Sequence, residues 1–393
     1  INVLFMKTFL KIISSLLLIL LVSILTYLFY LYIQNPVVVS RLGVAIMGDT
    51  PGIPEVVKSN YAYPINKATV KTISDDSIQS AKEYSQETGS HALLIYHKKA
   101  LVLEHYFPGY SKQHLTGTAS MHKSVLAVLI GIAIDQGFIS SVDQSASDFL
   151  TEWANDQRSK ITIRQMLQQS SGIDYPEFSF NPLGEWNEMV IGENVLNITL
   201  NQSAEKQPDT EFAYNGVNPQ NLGLLLQRAT GRRYSSYLSE NLWQYIAEED
   251  SFVFLDSEIN KMPKMFCCLD AIAMDWLRVG ILLLNKGKLE DKQIVSESWV
   301  EEMISPSPLN PNYGFLTWLG TTHQEHRIYN NKSTATAFHS EPFFDHDVVY
   351  FDGFGGQRVY IIPSKDLVIV RTGSITMDWD DAKLPNIISK GAL

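Results

Sequence analysis

The segment TGTASMHKSVLAVLIGIAIDQG, Thr116–Gly137, begins with polar residues and continues as an almost wholly apolar run. Ser120 stands where the polar part ends, and Lys123 follows three residues later, one turn into the apolar part. Such a run predicts a buried helix over about residues 120–136. Burying an ammonium is costly unless it is paired or neutralised. The position of Lys123 therefore indicates a chemical requirement for a lysine there.

Two interpretations of Ser120 and Lys123 follow from helix geometry. Residues three apart share a helix face, so the Lys123 amine can reach the Ser120 hydroxyl. Desolvation lowers a lysine pKa, so the neutral amine can act as a general base for the serine. Alternatively, Ser120 caps the helix and Lys123 extends to solvent. His122, between them, faces another direction and is interpreted as structural.

A second Ser-x-x-Lys sequence, formed by Ser203 and Lys206, shows that this spacing alone has little specificity. It lies in the polar stretch NQSAEKQPDT, which is typical of a surface loop. Context therefore separates the two copies, because only the one at Ser120 opens an apolar helix.

Composition sets broad limits on the protein. The chain has 393 residues, of which 45% are hydrophobic and 19% charged, which is typical of a globular protein with a large core. The net charge is −11 and no run of Lys or Arg occurs, which argues against a nucleic-acid partner. The two cysteines, Cys267 and Cys268, are adjacent, a spacing that meets disulfide geometry only with difficulty. We expect neither a disulfide framework nor a metal site there.

The N-terminal region predicts a membrane segment. Lys7 and Lys11 precede an apolar stretch from Ile12 to about Tyr32, and roughly 20 apolar residues span a bilayer as a helix. The cations on the N-terminal side predict a single-pass inner-membrane anchor, with the remainder in the periplasm. A cleaved export signal, leaving a periplasmic protein, is the alternative. The five residues before Met6 are interpreted as upstream translation.

The rest of the chain predicts an α/β (α+β) fold. Two stretches, HALLIYHKKALVLEHYFPGY at 91–110 and QRVYIIPSKDLVIVRTG at 357–373, each contain two apolar runs around a turn, which indicates a hairpin. Helical patterns lie between them, including one closed by Gly172, a pair around Gly231 and a long apolar one before Gly287. We expect one antiparallel sheet built from both ends, flanked by helices, with a helical lobe.

This organisation predicts three regions. Residues 1–35 form the anchor or signal segment, residues 36–88 a linker and wrapping segment, and residues 89–393 the main domain.

Several stretches resemble one family in the expected order. Ser120-Met121-His122-Lys123 matches the Ser-x-x-Lys motif of the β-lactamase and penicillin-binding-protein superfamily. The chain most resembles its class C β-lactamase-like serine hydrolases, which include family VIII esterases and 6-aminohexanoate-dimer hydrolases. The resemblance covers roughly residues 85–375 and extends to ITIRQMLQQSSGIDY, DTEFAYNGVNPQNLGLLLQRATG, KMFCCLDAIAMDWLRVGILLLNKG and FDGFGGQRVYIIPSKDLVIVRTG.

The resemblance implies a second catalytic motif at Tyr214. Its phenol would lie beside Ser120 and Lys123, and an ammonium nearby would lower its pKa so that it shuttles protons. The family usually has an asparagine two residues after this tyrosine, where this chain has Gly216. Asn215 or Asn218 is then expected to supply the substrate-binding amide.

The third motif of the family aligns with Phe351-Asp352-Gly353, which lacks the usual cation. Because classical β-lactamases hold the substrate carboxylate with that cation, its absence favours an ester or amide substrate. Gly353 and Gly355 are expected to let substrate lie along the strand, although the glycines also suit a tight turn. The backbone N–H groups of Ser120 and Phe354 would form the oxyanion hole.

Trp186, in NPLGEWNEM, lies in the region that lines the cleft in relatives. It either contacts substrate or packs in the core.

The sequence therefore predicts a serine hydrolase that cleaves a small ester, amide or peptide through an acyl-enzyme on Ser120, with no metal or organic cofactor. One alternative is a β-lactamase or D-amino-acid peptidase acting on cell-wall peptides. The other is a non-catalytic sensor of β-lactams or peptides that keeps the acylatable fold. Oligomeric state is left open.

Overall fold

The computed structural model describes residues 2–46, 49–179 and 181–393. The α-helices are α1 (Asn2–Gln34), α2 (Pro36–Ile46), α3 (Asp75–Glu87), α4 (His122–Asp135), α5 (Ile163–Leu167), α6 (Glu185–Ile191), α7 (Val195–Leu200), α8 (Val217–Thr230), α9 (Tyr234–Leu238), α10 (Gln244–Ile246), α11 (Ala273–Leu284), α12 (Glu297–Met303) and α13 (Lys383–Lys390). The strands are β1 (Ile53–Val57), β2 (Ser90–His97), β3 (Ala100–Tyr106), β4 (Leu115–Gly117), β5 (Ser251–Leu255), β6 (Leu269–Ile272), β7 (Lys288–Leu289), β8 (Lys292–Gln293), β9 (Trp318–Leu319), β10 (His326–Ile328), β11 (Thr336–Phe338), β12 (Val349–Gly353), β13 (Gln357–Ile362) and β14 (Leu367–Gly373).

A six-stranded antiparallel sheet is built from the two ends of the chain, as predicted. Its strand order is β3-β2-β14-β13-β12-β9. The first hairpin turns at Lys98 and Lys99, whose φ angles of 50° and 62° are those of a type I′ turn. This turn twists with the strands, which explains how two lysines form a tight hairpin without glycine.

Both faces of this sheet are buried, because side chains alternate between two cores. One core contains the helices α4, α8 and α11, and the strand residues Leu94, Val359, Ile361, Val368 and Val370 face it. The other contains α3 and α13, and the strand residues Leu93, Ile95, Tyr360, Ile362, Leu367 and Ile369 face it. The near-continuous apolar runs of β2, β13 and β14 follow from this double burial.

A smaller sheet, in the order β1-β5-β6-β4, lies at the start of α4. Strand β4 pairs with β6 and leads directly to Ser120. The predicted helix before Gly287 is wrong in its first part, because Leu269–Ile272 pairs with β4 and β5 as a strand. The predicted helix closed by Gly172 ends earlier, at Leu167, because Gln169 takes a left-handed φ of 59°.

The N-terminal region contributes a long apolar helix and a segment that packs on the main fold. Residues Phe5–Gln34 form a helix with a mean hydropathy of 2.6, long and apolar enough to cross a membrane or to serve as a signal sequence. Helix α2 contacts α6, β1 pairs with β5, and α3 contacts β2. The division into an anchor, a wrapping segment to residue 88 and a main domain from residue 89 stays a prediction.

Cys267 and Cys268 are joined by a disulfide, contrary to the expectation from their adjacent spacing. Cys268 has a φ of 72°, in the left-handed region that residues with a side chain seldom adopt. The pair lies on the segment before β6, directly after Phe266.

Candidate active site

The candidate nucleophile lies in a 3₁₀ turn, Ala119–Met121, immediately before α4. Ala119 has φ 48°, a left-handed conformation that is costly for a residue with a side chain and is found preferentially at functional sites. The N-cap position of α4 is Met121, without a side-chain capping bond, and Ser120 Oγ accepts a hydrogen bond from Lys123. Ser120 is half-buried, so the hydroxyl is available for chemistry instead of closing the helix.

Lys123 is buried and bonded to Ser120. Lys123 is only 3% exposed, so its side chain does not extend to solvent. Its Nζ donates to Ser120 Oγ at 2.6 Å and to the carbonyl oxygen of Phe266 at 2.7 Å. Burial lowers the pKa of Lys123 to about 7, although the carboxylate of Asp352 acts in the opposite direction. A substantial fraction of the amine is therefore neutral near pH 7.

Tyr214 joins the same cluster. The Ser120 side chain acts on the Tyr214 phenol in the direction that lowers its pKa, and the Tyr214 ring centroid lies 4.8 Å from Lys123 Nζ. The expectation that an ammonium lowers the pKa of Tyr214 is wrong. Burial raises this pKa well above its ordinary value, and the neighbouring Tyr313 and Asp352 raise it further. The phenol is therefore a stable proton donor and not a phenolate.

A wall of aromatic rings holds Tyr214 in place. The Tyr214 ring packs against Tyr313, Trp318 and Tyr329, with centroids 5.3 to 6.1 Å apart. Its backbone N–H donates to the Tyr329 carbonyl at 3.0 Å, and Asn330 Nδ2 donates to the Tyr214 carbonyl at 2.7 Å. The segment after β10 thus fixes both the ring and the backbone of Tyr214.

The amides of Asn215 and Asn218 are engaged inside the protein and not presented to substrate. Asn215 Oδ1 accepts from the backbone N–H groups of Val217 and Asn218 at 2.9 and 3.0 Å, so this side chain caps α8. Asn218 Oδ1 accepts from Ser171, and its Nδ2 donates to Gln169 at 3.0 Å. The expectation that either amide replaces the missing asparagine therefore has no support in their hydrogen bonds.

The end of β12 passes very close to the turn that carries Ser120. A Cβ atom at Gly353 would lie 2.3 Å from the carbonyl oxygen of Thr118, so no larger residue fits there. Phe354 follows, and its side chain is exposed. Among the residues that the structure describes, the backbone N–H groups of Ser120 and Phe354 are not used by intramolecular acceptors. Gly355 has φ 76° and forms the turn to β13, where its role is conformational.

A buried ion-pair network behind Asp352 was not predicted from the sequence. Asp352 accepts from Arg327 at 2.6 Å and from Tyr329 at 2.9 Å, and it lies 2.9 Å from Arg358. Arg358 also donates to Asp381 at 2.6 Å. The two arginines hold the pKa of Asp352 below its usual value. No local pattern signals this network, because Arg327 lies 25 residues before Asp352 and Asp381 lies 23 residues after Arg358.

Helix α6 closes one side of the site. Trp186, on α6, is half-buried and packs edge-to-face with Phe178 at 4.8 Å between centroids. Met189 of the same helix reaches the catalytic cluster, because a Cβ at Gly216 would meet Met189 Cε at 3.1 Å and the ring of Phe266 at 3.3 Å. Trp186 is thus near the site, and its contact with substrate stays a prediction.

His122 has a structural environment, as interpreted from the sequence. Its ring nitrogens bond to the Cys267 carbonyl at 2.5 Å and to the Tyr234 hydroxyl at 2.7 Å. Burial lowers its pKa to about 4, so the imidazole is neutral at ordinary pH. Across the described ranges, no three His, Cys, Asp or Glu side chains are grouped so that they could hold a metal ion.

The fold and the serine–lysine–tyrosine cluster together define a protein of the β-lactamase and penicillin-binding-protein fold. Residues 74–257 match the family model named Beta-lactamase.

Comparison with known proteins gives more particular relatives. The chain is similar to 6-aminohexanoate-dimer hydrolase of Paenarthrobacter ureafaciens, with 25% identity over 312 residues, 75% of this chain and 74% of the relative. A putative 6-aminohexanoate-dimer hydrolase from Bacillus anthracis has a similar structure, with a TM-score of 0.69, 21% identity, and coverage of 86% of this chain and 89% of that chain. A family VIII carboxylesterase matches with a TM-score of 0.61, 13% identity, and coverage of 86% and 99%.

Proposed function

We propose that this protein is a serine hydrolase that cleaves an ester or amide bond through an acyl-enzyme on Ser120. Lys123 is the general base, and Tyr214 delivers the proton to the leaving group. The observation that carries this proposal is the buried Lys123 amine, 2.6 Å from Ser120 Oγ with a pKa lowered to about 7. The hydrolase relatives support it.

The geometry suits a two-step reaction. In the neutral form, Lys123 keeps an N–H on the Phe266 carbonyl and turns its lone pair to Ser120 Oγ. It removes the hydroxyl proton as Oγ bonds to the substrate carbonyl carbon. The proton then passes through Lys123 and Tyr214 to the leaving alcohol or amine as its bond to the acyl carbon breaks. Water, activated by the same groups, releases the acid.

The oxyanion that forms during both steps is proposed to bind the free N–H groups of Ser120 and Phe354. Two such donors supply several kcal/mol of transition-state stabilisation in general. The close approach at Gly353 supports this placement, because it brings the end of β12 against the turn of Ser120.

The favoured substrate is an ester or amide that has no carboxylate for the enzyme to bind. Arg327 and Arg358, the cations bonded to the third-motif Asp352, are both buried and form ion pairs with it. Neither therefore offers a free positive charge to a substrate carboxylate, as a β-lactam would need.

Helix α1 is proposed as an uncleaved anchor, with the hydrolase domain on the outer face of the inner membrane. The predominantly apolar segment Phe5–Gln34 is 30 residues long and exceeds the length of about 20 that a span needs. The bonds from Asn35 and Arg41 to α6 support an uncleaved anchor, since they attach the segment after α1 to the folded domain.

The test of the function is active-site labelling followed by turnover assays. A fluorophosphonate probe should modify Ser120 in the full chain, as mapped by mass spectrometry, and Ser120→Ala should abolish labelling and hydrolysis of p-nitrophenyl butyrate. Ser203→Ala is the matched control, because it changes the serine of the second Ser-x-x-Lys sequence in an exposed loop. Faster turnover of a chromogenic cephalosporin than of esters and anilides would identify a β-lactamase instead. An adduct at Ser120 without turnover of any substrate would identify a sensor.

A further inference from the structure

The segment that follows α1 is joined directly to the edge of the active site. Helix α1 ends at Gln34 and α2 begins at Pro36, so Asn35 is the single residue between them. Asn35 Nδ2 donates to Glu188 Oε2 of α6 at 2.7 Å. The position where the apolar helix ends is thus within hydrogen-bond distance of the helix that carries Trp186.

Helix α2 holds this arrangement through two further contacts. Arg41 donates to the carbonyl oxygens of Ile191 and Gly192 at 3.0 and 2.7 Å, at the C-terminal end of α6. A cation there also interacts favourably with the negative end of the helix dipole. Val38, one turn before Arg41, is fully buried. The segment Asn35–Arg41 is therefore attached to α6 at two places.

Helix α6 in turn reaches the catalytic residues. Met189 lies against Gly216 and Phe266, and the Phe266 carbonyl accepts the amine of Lys123. Because α6 has seven residues, it is about 10 Å long. Glu188, which accepts from Asn35, and Met189, which lies against Gly216, are adjacent on this helix, so α6 connects the end of α1 to the site.

Exposed apolar side chains surround the same cleft edge. On the α6 side, Phe178 is 48% exposed, and Leu183 is also exposed. At the turn after β12, Phe354 and Ile375 are each 54% exposed, and Ile375 packs on the Gly355 turn. Apolar groups clustered at one exposed place indicate contact with an apolar surface or ligand.

We infer that the substrate is an amphiphile, an ester or amide with a long apolar chain that stays in the bilayer in which α1 is anchored. The reactive bond enters the cleft from the membrane surface, along the edge formed by Phe178, Leu183 and Trp186. This inference rests on the proposed function and on the proposed anchor. The chemistry is that of the proposed function: Ser120 Oγ bonds to the acyl carbon, the leaving group takes a proton, and water releases the acid.

The test uses the full chain reconstituted in phosphatidylcholine vesicles. p-Nitrophenyl palmitate is placed either in the same vesicles as the protein or in separate vesicles, at equal bulk concentration, and p-nitrophenyl butyrate in solution reports the basic activity. We expect at least tenfold faster hydrolysis of the palmitate in the shared vesicles. Equal rates from shared and separate vesicles, or turnover of the butyrate alone, would overturn the inference and leave the proposed function intact. Loss of activity on every ester and amide would overturn the proposed function itself.

A pair of matched variants tests the cleft edge. Phe178→Ser should lower the ratio of palmitate to butyrate turnover about fivefold or more. Phe138→Ser replaces a phenylalanine of similar exposure, 40% against 48%, beyond the opposite end of the helix that Ser120 precedes. It should keep the wild-type ratio. If both variants change the ratio equally, Phe178 has no special part in binding the chain and the inferred entry path is wrong.

Discussion

The amine of Lys123 is held between two oxygen atoms of different kinds, and this decides its chemistry. The Phe266 carbonyl can only accept a hydrogen bond, whereas the Ser120 hydroxyl can donate or accept one. A neutral amine satisfies both by donating to the carbonyl and accepting from the hydroxyl. Because burial disfavours the ammonium, this arrangement is populated near pH 7.

Replacing Lys123 with methionine should lower kcat for ester hydrolysis by about 10²- to 10⁴-fold, the usual contribution of a general base. Methionine keeps most of the buried side-chain volume, so the fold should persist. Lys206→Met, in the second Ser-x-x-Lys sequence, is the control and should retain wild-type activity, since this lysine pairs with Glu211 at the surface. Steady-state kinetics with p-nitrophenyl butyrate give the comparison, and activity of Lys123→Met within threefold of wild type would exclude this lysine as the base.

The pH dependence of kcat/KM should follow the titration of Lys123. The amine is the active form, and burial lowers its pKa to about 7. Below this pH the amine is protonated, so kcat/KM should fall about tenfold per unit of pH well below 7 and level off above it. Rates measured from pH 5 to 9 test this. A profile that falls as pH rises through 7 would contradict the assignment of a neutral base.

The serine and lysine were predictable from spacing and burial pattern, because a helix places positions i and i+3 on one face. The environment of Tyr214, the third candidate catalytic residue, could not be predicted in this way. Its raised pKa depends on Tyr313 and Asp352, which approach Tyr214 only in the folded chain. The amides of Asn215 and Asn218 were assigned to substrate for the same reason, since their internal partners cannot be read from sequence.

At the scale of elements, the site is a junction between β12 and the turn before α4. Gly353 permits this junction because a Cβ would meet the Thr118 carbonyl at 2.3 Å and Gln357 Cβ at 2.7 Å. The contact brings the end of β12 against the turn of Ser120, so the proposed oxyanion hole of Ser120 and Phe354 depends on it.

Gly353→Ala should therefore separate β12 from the turn. We expect a loss of stability of about 1 to 3 kcal/mol from the steric conflict and a larger loss of activity, about 10²-fold or more in kcat. Gly43→Ala is the control, because no atom lies within 4 Å of a Cβ at that helical position. Thermal unfolding and ester kinetics measure the two effects. Wild-type kcat in Gly353→Ala would show that the junction does not shape the oxyanion site.

The ion pairs of β12 link the sheet to the general base. Asp352→Asn leaves Arg327 and Arg358 buried with one fewer carboxylate, which should cost about 3 to 5 kcal/mol of stability. Asp352 also raises the pKa of Lys123, so its removal should move the acid limb of the kcat/KM profile to lower pH. Asp378→Asn, at an exposed position, should change neither quantity. An acid limb at the wild-type pH would show that the charge of Asp352 does not affect the pKa of Lys123.

The elements themselves were predictable to different degrees. Both hairpins follow from paired apolar runs around short turns, which are local signals. The strand Leu269–Ile272 was included in a helix because it is short, apolar and directly followed by α11. Its pairing with β4 and β5 decides its conformation, and those strands are distant in the sequence. The network of Asp352 was missed on the same ground.

At the scale of the whole molecule, the cleft is where the separate parts of the chain meet. The sheet from both ends supplies β12, the helical region supplies α4 and Tyr214, and the N-terminal region supports α6 through α2. Any change in the attachment of α2 should therefore alter the mobility of α6 at the cleft edge, although α2 contains none of the catalytic candidates.

Replacing Arg41 with alanine tests this attachment. The change removes two hydrogen bonds from a charged donor to the Ile191 and Gly192 carbonyls. We expect amide hydrogen exchange in residues 185–192 to accelerate about tenfold, equivalent to about 1.4 kcal/mol of local opening. Arg232→Ala, which removes only an exposed ion pair with Glu240, should leave that exchange unchanged.

Hydrogen-exchange mass spectrometry on the full chain in vesicles gives the readout. Arg41 does not belong to either hydrophobic core, so the melting temperature of the Arg41→Ala variant should remain close to that of the wild type. If exchange in residues 185–192 is unchanged, α2 does not restrain α6, and the connection from the membrane to the cleft cannot run through this helix. If it accelerates while hydrolysis of the bilayer ester falls relative to the soluble ester, the juxtamembrane helix holds the entrance of the site in the position that a membrane-held substrate requires.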